Sequence, residues 1–372
     1  MTVENRYSQL HILRGFSALM VVLGHAKVVF WSGGKMFIEK FPITNWKFYD
    51  YLLFLTDLFS SAAQSFVIVF FVLSGFFINL SFKKHNWNFK NFLINRFIRI
   101  FPPYFAALLF SLIVILFINY LEKPLFDLHF SRAFNQRLSN SYENLNFKSF
   151  FYALFFIPTK DYFACNFSFW SLLYEWIFYF SIAVLKQINK YILTISFILF
   201  ILGLLIEIDE FNFVQNFIFN YCFSFFSGYV FYEITQQNYF QKYFKNKFIN
   251  ISVVIILLLL MIFAELSTFN VLKKLAPIIF SLVAIRTLLI FEIRNNNLLK
   301  IGNYLGKISF TLYLFHLPIL FLFYGIIFHF TGRYFFYDRI YWLFVLFTIP
   351  ISSFFYHLVE KRCLSWMKKN SN

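Results

Sequence analysis

The chain has 372 residues, of which 60% are hydrophobic and 13% are charged. A soluble domain carries about 25% charged residues and needs more polar surface than this to cover its core, so the composition excludes a soluble globular protein. The formal net charge of +16 would indicate nucleic-acid binding in a soluble protein, but Lys and Arg also collect in the cytoplasmic loops of membrane proteins. We therefore predict an integral membrane protein with the lipid bilayer, and no nucleic acid, as its partner.

Ten apolar segments follow one another along the chain, each near the roughly 20 residues that a membrane-spanning helix needs. They lie at residues 9–30, 62–81, 101–120, 168–186, 191–207, 213–232, 249–266, 274–291, 304–328 and 338–359. The predicted fold class is an all-α, polytopic transmembrane bundle of about ten helices. We expect one transmembrane domain over residues 1–372, without a soluble extra domain.

Loop charge predicts the orientation of the chain. Basic residues follow the even-numbered segments, as at residues 83–99 and 361–369, and acidic residues gather in opposite loops, as at 207–210. The positive-inside rule then places both termini in the cytoplasm. The long polar loop at 121–167 falls on the other side. One opposite turn, at residues 273–274, holds two lysines and argues against this orientation.

Two ionisable residues, Arg14 and His25, lie on the first predicted span. An ionisable group near the bilayer centre costs about 2.5–3.5 kcal/mol on insertion scales, which makes such residues candidates for function. They lie about three helical turns apart, so both occupy one face. Alone, Arg14 would be an interfacial anchor and His25 a packing histidine, but the shared face supports a functional pair equally.

Two further candidates are predicted inside spans. Glu175 lies about two turns below the outer end of the fourth span, near the predicted depth of His25. A buried carboxylate there would orient a histidine ring, or it would form a structural ion pair. His316 precedes Pro318, which should loosen the helix, and its side chain either lines a cavity or makes a packing hydrogen bond.

A basic segment lies at the predicted cytoplasmic mouth. Arg96 and Arg99, one turn apart, would hold a phosphate bidentately, or they are ordinary positive-inside residues. Pro102 and Pro103 suit the first turn of the third span. The small pair Ser74-Gly75, in the second span, either permits close helix packing or contacts a ligand.

These residues suit group transfer from a phosphorylated cytoplasmic donor to an acceptor on the other side. They also suit a proton-coupled transporter, and the residues alone do not choose between the two. A third interpretation is a non-catalytic membrane partner in polysaccharide assembly. The three cysteines lack metal-ligand spacing, so no metal site is predicted.

Several motifs resemble those of the membrane-bound acyltransferase 3 family, in order along nearly the whole chain. They are Arg14-X10-His25, Phe71 to Phe76, Arg96 to Tyr104, Trp170 to Tyr179 and Ser309 to Pro318. Glu360-Lys361 is similar to the closing Glu-Lys-Pro of that family, but Arg362 stands where proline is usual.

The resemblance implies transfer of an acyl group from cytoplasmic acyl-CoA to a hydroxyl of a cell-surface carbohydrate such as capsule or O-antigen, in the cell (inner) membrane. Acetyl is the expected group, and acyl-CoA is a substrate, so no permanently bound cofactor is expected. The expected acyl-CoA ligands are Arg14, Arg96, Arg99 and Tyr104.

The same resemblance implies roles around the acceptor. His25 would act as general base or as transient acyl carrier, and Glu175 would orient it or bind the sugar. Residues expected to contact the carbohydrate are Trp170, Ser171 and His316. The alternative function is a transporter or flippase for lipid-linked sugars, which would need no acyl-CoA.

Overall fold

The computed structural model describes residues 7–30, 38–39, 42–85, 88–126, 133–157, 159, 162–185, 191–206, 212–237, 246–291, 293, 295–332 and 342–370. Over these residues the chain is helical and contains no β-strand, which confirms the all-α prediction. The helices are α1 (Leu10–Phe30), α2 (Phe48–Ser61), α3 (Ala63–His85), α4 (Phe89–Leu121), α5 (Ala133–Glu143), α6 (Phe147–Leu154), α7 (Trp170–Leu185), α8 (Ile192–Gly203), α9 (Phe213–Asn216), α10 (Cys222–Thr235), α11 (Lys247–Leu266), α12 (Asn270–Ile290), α13 (Asn296–Thr331), α14 (Trp342–Phe355) and α15 (Lys361–Asn370). Single π-helical turns, Phe217–Tyr221 and Tyr356–Glu360, join α9 to α10 and α14 to α15.

Six of the described helices are long and apolar enough to cross a membrane. They are Leu10–Phe30, Ala63–Lys83, Phe89–Leu121, Lys247–Leu266, Asn296–Thr331 and the continuous stretch Leu343–Met367, which runs from α14 through the π-helical turn into α15. The other four predicted spans fall on α7, α8, the α9–α10 pair and α12. Helices α7 and α8 have only 16 and 12 residues, and α12 carries three basic residues.

The count of ten spans and the cytoplasmic placement of both termini therefore stay predictions. Some ends of the predicted spans, at residues 186, 207 and 338–341, lie outside the described residues, as does the acidic turn at 207–210.

The chain forms two compact units, each assembled from separate stretches. Unit 1 contains Met1–Ala18, Gln64–Ile94 and Tyr174–Ser309. Unit 2 contains Leu19–Ala63, Asn95–Leu173 and Phe310–Asn372. Helices α1, α3, α4, α7 and α13 contribute residues to both units.

In unit 1, helices α3 and α10 cross at two glycines. A Cβ atom on Gly75 would lie 1.9 Å from the Phe225 carbonyl oxygen, and one on Gly228 would lie 1.9 Å from that of Val72. Only glycine allows so close an approach, as at many helix crossings in membranes. The packing role predicted for the Ser74-Gly75 pair is thereby confirmed.

Helices α1 and α13 also pack closely in unit 1. A Cβ atom on Gly306 would lie 2.2 Å from the carbonyl oxygen of His11, and one on Gly15 would lie 2.8 Å from the Gly306 nitrogen. The same two helices carry His25 and His316 ten residues further along. Glycine thus permits the close packing of the two helices that bear the predicted functional histidines.

Helix α4 begins at residue 89, before the predicted third span. Buried side chains recur every four positions at Phe92, Arg96 and Ile100, so the helical pattern continues towards the N-terminus. Pro102 and Pro103 therefore lie inside the helix, and the prediction that they occupy its first turn was wrong. Because proline has no backbone N–H, two carbonyls of the preceding turn lose their helical donors.

Candidate functional site

Two histidines predicted on different spans meet in unit 2. Nδ1 of His25 lies 2.7 Å from Nε2 of His316. The two ring planes are nearly parallel, at an interplanar angle of 10°, with 5.0 Å between the ring centroids. His316 is completely buried, whereas His25 is partly exposed. The sequence singles out both residues, but it does not predict that they pair.

Hydrogen bonding fixes the neutral form of each ring. Nδ1 of His316 lies 3.1 Å from the carbonyl oxygen of Leu312, and because a carbonyl only accepts, this nitrogen carries the proton. Nε2 of His316 is then the acceptor, and Nδ1 of His25 donates to it. Nε2 of His25 is left with a lone pair, and no described residue hydrogen bonds to that atom.

A proline interrupts the backbone hydrogen bonding of α13 without ending the helix. Pro318 lacks an N–H, so the Leu314 carbonyl, four residues earlier, loses its usual donor. Nδ2 of Asn166 donates to that oxygen at 3.1 Å and to the Ser111 hydroxyl at 3.0 Å. Its Oδ1 accepts from Ser168 Oγ at 2.6 Å. The buried Asn166 side chain therefore ties α4, α13 and the segment before α7 together.

That segment holds non-glycine residues in the left-handed region. Tyr162, Ala164 and Cys165 have φ angles of 51°, 50° and 56°. Such conformations cost of order 1–3 kcal/mol each and cluster at functional sites. The segment leads through Asn166 to Phe167, whose ring meets the His25 ring edge-on with 5.0 Å between centroids. A strained turn thus places an aromatic wall against the candidate base.

The start of α7 is bound to α13 by hydroxyl groups. The Tyr313 hydroxyl donates to the Ser168 carbonyl at 2.8 Å, and Ser171 Oγ lies 2.8 Å from the same hydroxyl. Because the Tyr313 hydroxyl donates its only proton to the carbonyl, Ser171 is the donor of this second bond. Ser171 is buried and Trp170 partly exposed. Contact of either residue with a carbohydrate stays a prediction.

The residues predicted to bind acyl-CoA differ in exposure. Arg96 is buried and Arg99 partly exposed, one turn apart on α4, while Arg14 is partly exposed on α1 within unit 1. The buried Tyr104 donates its hydroxyl to the Ala153 carbonyl at 2.5 Å. That hydroxyl is therefore engaged inside the protein, and the binding role of all four stays a prediction.

The carboxylate of Glu175 is hydrogen bonded to two side chains within unit 1. Its Oε1 accepts hydrogen bonds from Ser74 Oγ, at 3.0 Å, and from the Tyr179 hydroxyl. Ser74 neighbours Gly75, the glycine that lets α3 approach α10. In the Ser74-Gly75 pair, the glycine therefore allows close packing and the serine makes the polar contact. The carboxylate joins α3 to α7, and its predicted action on His25 or on a sugar stays a prediction.

Sequence reasoning missed two polar residues of this region. Asn166 had a usable signal, because it is an amide within the apolar run 163–169. Arg137 had no such signal in the sequence, because basic residues are common in polar loops. Its guanidinium carbon lies 5.4 Å from the centroid of the Phe167 ring.

One protein family, described as an acyltransferase domain, matches residues 7–357. The match covers nearly the whole chain and includes every candidate residue named above. Neither a curated protein nor a solved structure matches the chain. With its apolar helices, the chain is a multi-pass membrane acyltransferase that belongs to the acyltransferase 3 family.

Proposed function

We propose that the protein moves an acyl group, with acetyl as the first candidate, from cytoplasmic acyl-CoA to a hydroxyl of a cell-surface carbohydrate such as capsule or O-antigen, in the cell (inner) membrane. The observation that carries this proposal is the 2.7 Å contact between His25 and His316. That contact leaves Nε2 of a partly exposed histidine as a free base, which a transfer to a hydroxyl requires.

In a direct transfer, Nε2 of His25 takes the proton of the acceptor hydroxyl while the hydroxyl oxygen attacks the thioester carbonyl carbon. The carbon–sulfur bond breaks, and the CoA thiolate takes the proton back from the imidazolium. In the alternative route, Nε2 attacks the thioester carbonyl carbon, and the carbon–sulfur bond breaks to release CoA thiolate. The acceptor oxygen then attacks the acyl carbon, the carbon–nitrogen bond breaks, and the hydroxyl proton passes to the thiolate. Both routes convert a thioester and an alcohol into an ester and a thiol.

His316 would be a positioning residue in either route. It accepts from Nδ1 of His25, which holds the ring with Nε2 free. When Nε2 gains a proton or an acyl group, the bond to His316 becomes charge-assisted and stronger. We assign this role in preference to sugar contact, because the His316 ring is completely buried and both of its nitrogens are hydrogen bonded.

The remaining candidates fit this scheme as binding residues. Arg14, Arg96 and Arg99 would hold the phosphate groups of acyl-CoA, since the guanidinium fork matches phosphate geometry. Tyr104 would support that site by packing. Trp170 would offer an aromatic face to a sugar ring, and Glu175 would bind the acceptor sugar.

Release of the CoA thiol tests the proposal. Purified full-length protein in detergent is given acetyl-CoA and crude surface polysaccharide, with succinyl-CoA as a second donor. We expect thiol release that depends on both protein and polysaccharide. Failure to release CoA together with failure to bind acetyl-CoA would contradict the proposal and favour a transporter, which has no reason to hold the donor.

A further inference from the structure

A cation lies beside the histidine pair. The guanidinium carbon of Arg137 is 5.4 Å from the centroid of the Phe167 ring. The same ring meets the His25 ring at 5.0 Å between centroids. Arg137 and His25 therefore have Phe167 as a common neighbour, and all three residues belong to unit 2.

The helix that carries Arg137 is anchored to α13. Nδ2 of Asn135 donates to the Tyr324 hydroxyl at 3.0 Å. The Phe134 ring packs against the rings of Phe321 and Tyr324, each with 5.4 Å between centroids. Because α13 also carries His316, packing between two helices fixes the position of Arg137 beside the histidine pair.

The charge of Arg137 is available to a ligand. Its side chain is exposed, and over the described part of the chain no carboxylate or hydrogen-bond acceptor engages its guanidinium. A guanidinium over an aromatic face keeps its in-plane N–H donors, and those five donors match a carboxylate or a phosphate in a bidentate arrangement.

We propose that Arg137 is a specificity residue that binds an anionic group of the acceptor, on the sugar that is acylated or on its neighbour. The inference rests on the proposed function, because the acceptor hydroxyl must reach His25. The polar loop at 121–167 is predicted on the side opposite the basic mouth for acyl-CoA, which favours an anion of the acceptor over one of the donor. The substrate class is then an acidic glycan.

The test uses cells that lack the native copy and produce the full-length protein or its variants. Base-labile acyl esters are measured on surface glycans separated by anion exchange into acidic and neutral fractions. Arg137→Gln removes the positive charge. Arg137→Lys keeps the charge but lacks the planar guanidinium that binds an anion through two hydrogen bonds. Lys148→Gln is the matched control, because Lys148 is also an exposed cation, 5.7 Å from the centroid of the Tyr152 ring.

We expect the wild-type acyl esters in the acidic fraction. Arg137→Gln should reduce them roughly tenfold or more, as expected for loss of a charged hydrogen bond, Arg137→Lys should reduce them less, and Lys148→Gln should have no effect. The Michaelis constant for acetyl-CoA, measured in membranes, should be unchanged in Arg137→Gln.

Three results would overturn the inference while leaving the proposed function intact: esters on neutral glycans, wild-type ester levels in Arg137→Gln at equal membrane abundance, or a raised Michaelis constant for acetyl-CoA in that variant. If wild-type cells form no esters at all, the proposed function fails and this inference fails with it. Carboxyl reduction and dephosphorylation of the acidic glycan, each followed by the transfer assay, show which anion Arg137 binds.

Discussion

The tautomer of each histidine in the pair depends on one backbone carbonyl. The Leu312 oxygen accepts from Nδ1 of His316, and this bond decides which nitrogen of each ring carries a proton. A backbone group cannot be removed by substitution, and the part of α13 that carries this carbonyl is buried. The lone pair on His25 is therefore set by the fold of α13 as well as by the imidazole itself.

Two substitutions of His316 separate positioning from packing. Glutamine keeps an acceptor oxygen near the place of Nε2, whereas asparagine keeps only a donor near Nδ1, towards Leu312. We expect His316→Asn to lose roughly 10²-fold in turnover, within the range of general-base effects, and His316→Gln to retain more. Thiol release by purified variants measures this, and equal or greater turnover in His316→Asn would contradict a positioning role for the Nε2 acceptor.

The sequence predicts these site residues in part. His25 and His316 stand out because an imidazole in an apolar run is costly in lipid. The pairing of the two histidines cannot be predicted from the sequence, because it joins positions 291 residues apart and depends on how α1 packs against α13. Asn166 is recognisable only once Pro318 is known to leave an unpaired carbonyl nearby, and Arg137 only once Phe167 lies beside His25.

At the scale of the helix, α13 stays continuous through a proline because another segment replaces the missing donor. The Asn166 amide bonds to the carbonyl that Pro318 leaves without a partner, as membrane proteins often arrange at helix-breaking residues. The same amide holds the strained turn that ends at Phe167. One proline therefore links the shape of α13 to the wall of the candidate site.

A double-mutant cycle measures this link. Asn166→Ala should destabilise the protein because it leaves the Leu314 carbonyl unsatisfied. In a Pro318→Ala background that carbonyl regains its helical donor, so the same change should cost less. We expect a coupling free energy of about 0.5–3 kcal/mol from the free energies of unfolding in detergent. Additive effects would show that the two residues act independently.

The boundaries of the spans are predicted from composition only in part. Composition predicts membrane helices well where the apolar run is long, as in α1, α3, α11 and α13. At α4 the predicted start is wrong, because the paired prolines suit a first helical turn whereas the helical pattern of buried residues begins earlier. Short helices such as α7 and α8 can be placed along the chain, but their length does not establish that they cross a membrane.

At the scale of the molecule, orientation follows from where the cations lie. The helix α15 is basic, with Lys361, Arg362 and Lys369 exposed, and the loop at 121–167 is mixed in charge. The positive-inside rule predicts that these two regions lie on opposite sides of the membrane. The proposed reaction needs this arrangement, because donor and acceptor approach from different compartments.

Cysteine labelling tests that orientation. In a variant whose three native cysteines are replaced, single cysteines at Asn144 and Lys369, both exposed, are treated with a membrane-impermeant maleimide. We expect Asn144→Cys to react in intact cells and Lys369→Cys to react only after permeabilisation. Labelling of Lys369→Cys in intact cells would place the C-terminus outside and remove the basis for a cytoplasmic donor.

The most direct test of the proposed role of His25 is transfer of labelled acetyl from acetyl-CoA to surface polysaccharide by wild-type and His25→Ala protein. His329→Ala is the control, because His329 lies on α13 outside the histidine pair and is bound to Glu122. We predict a loss of roughly 10²–10⁴-fold for His25→Ala with helical content and acetyl-CoA binding retained, and no loss for His329→Ala. Near-wild-type transfer by folded His25→Ala protein would contradict the central role of His25.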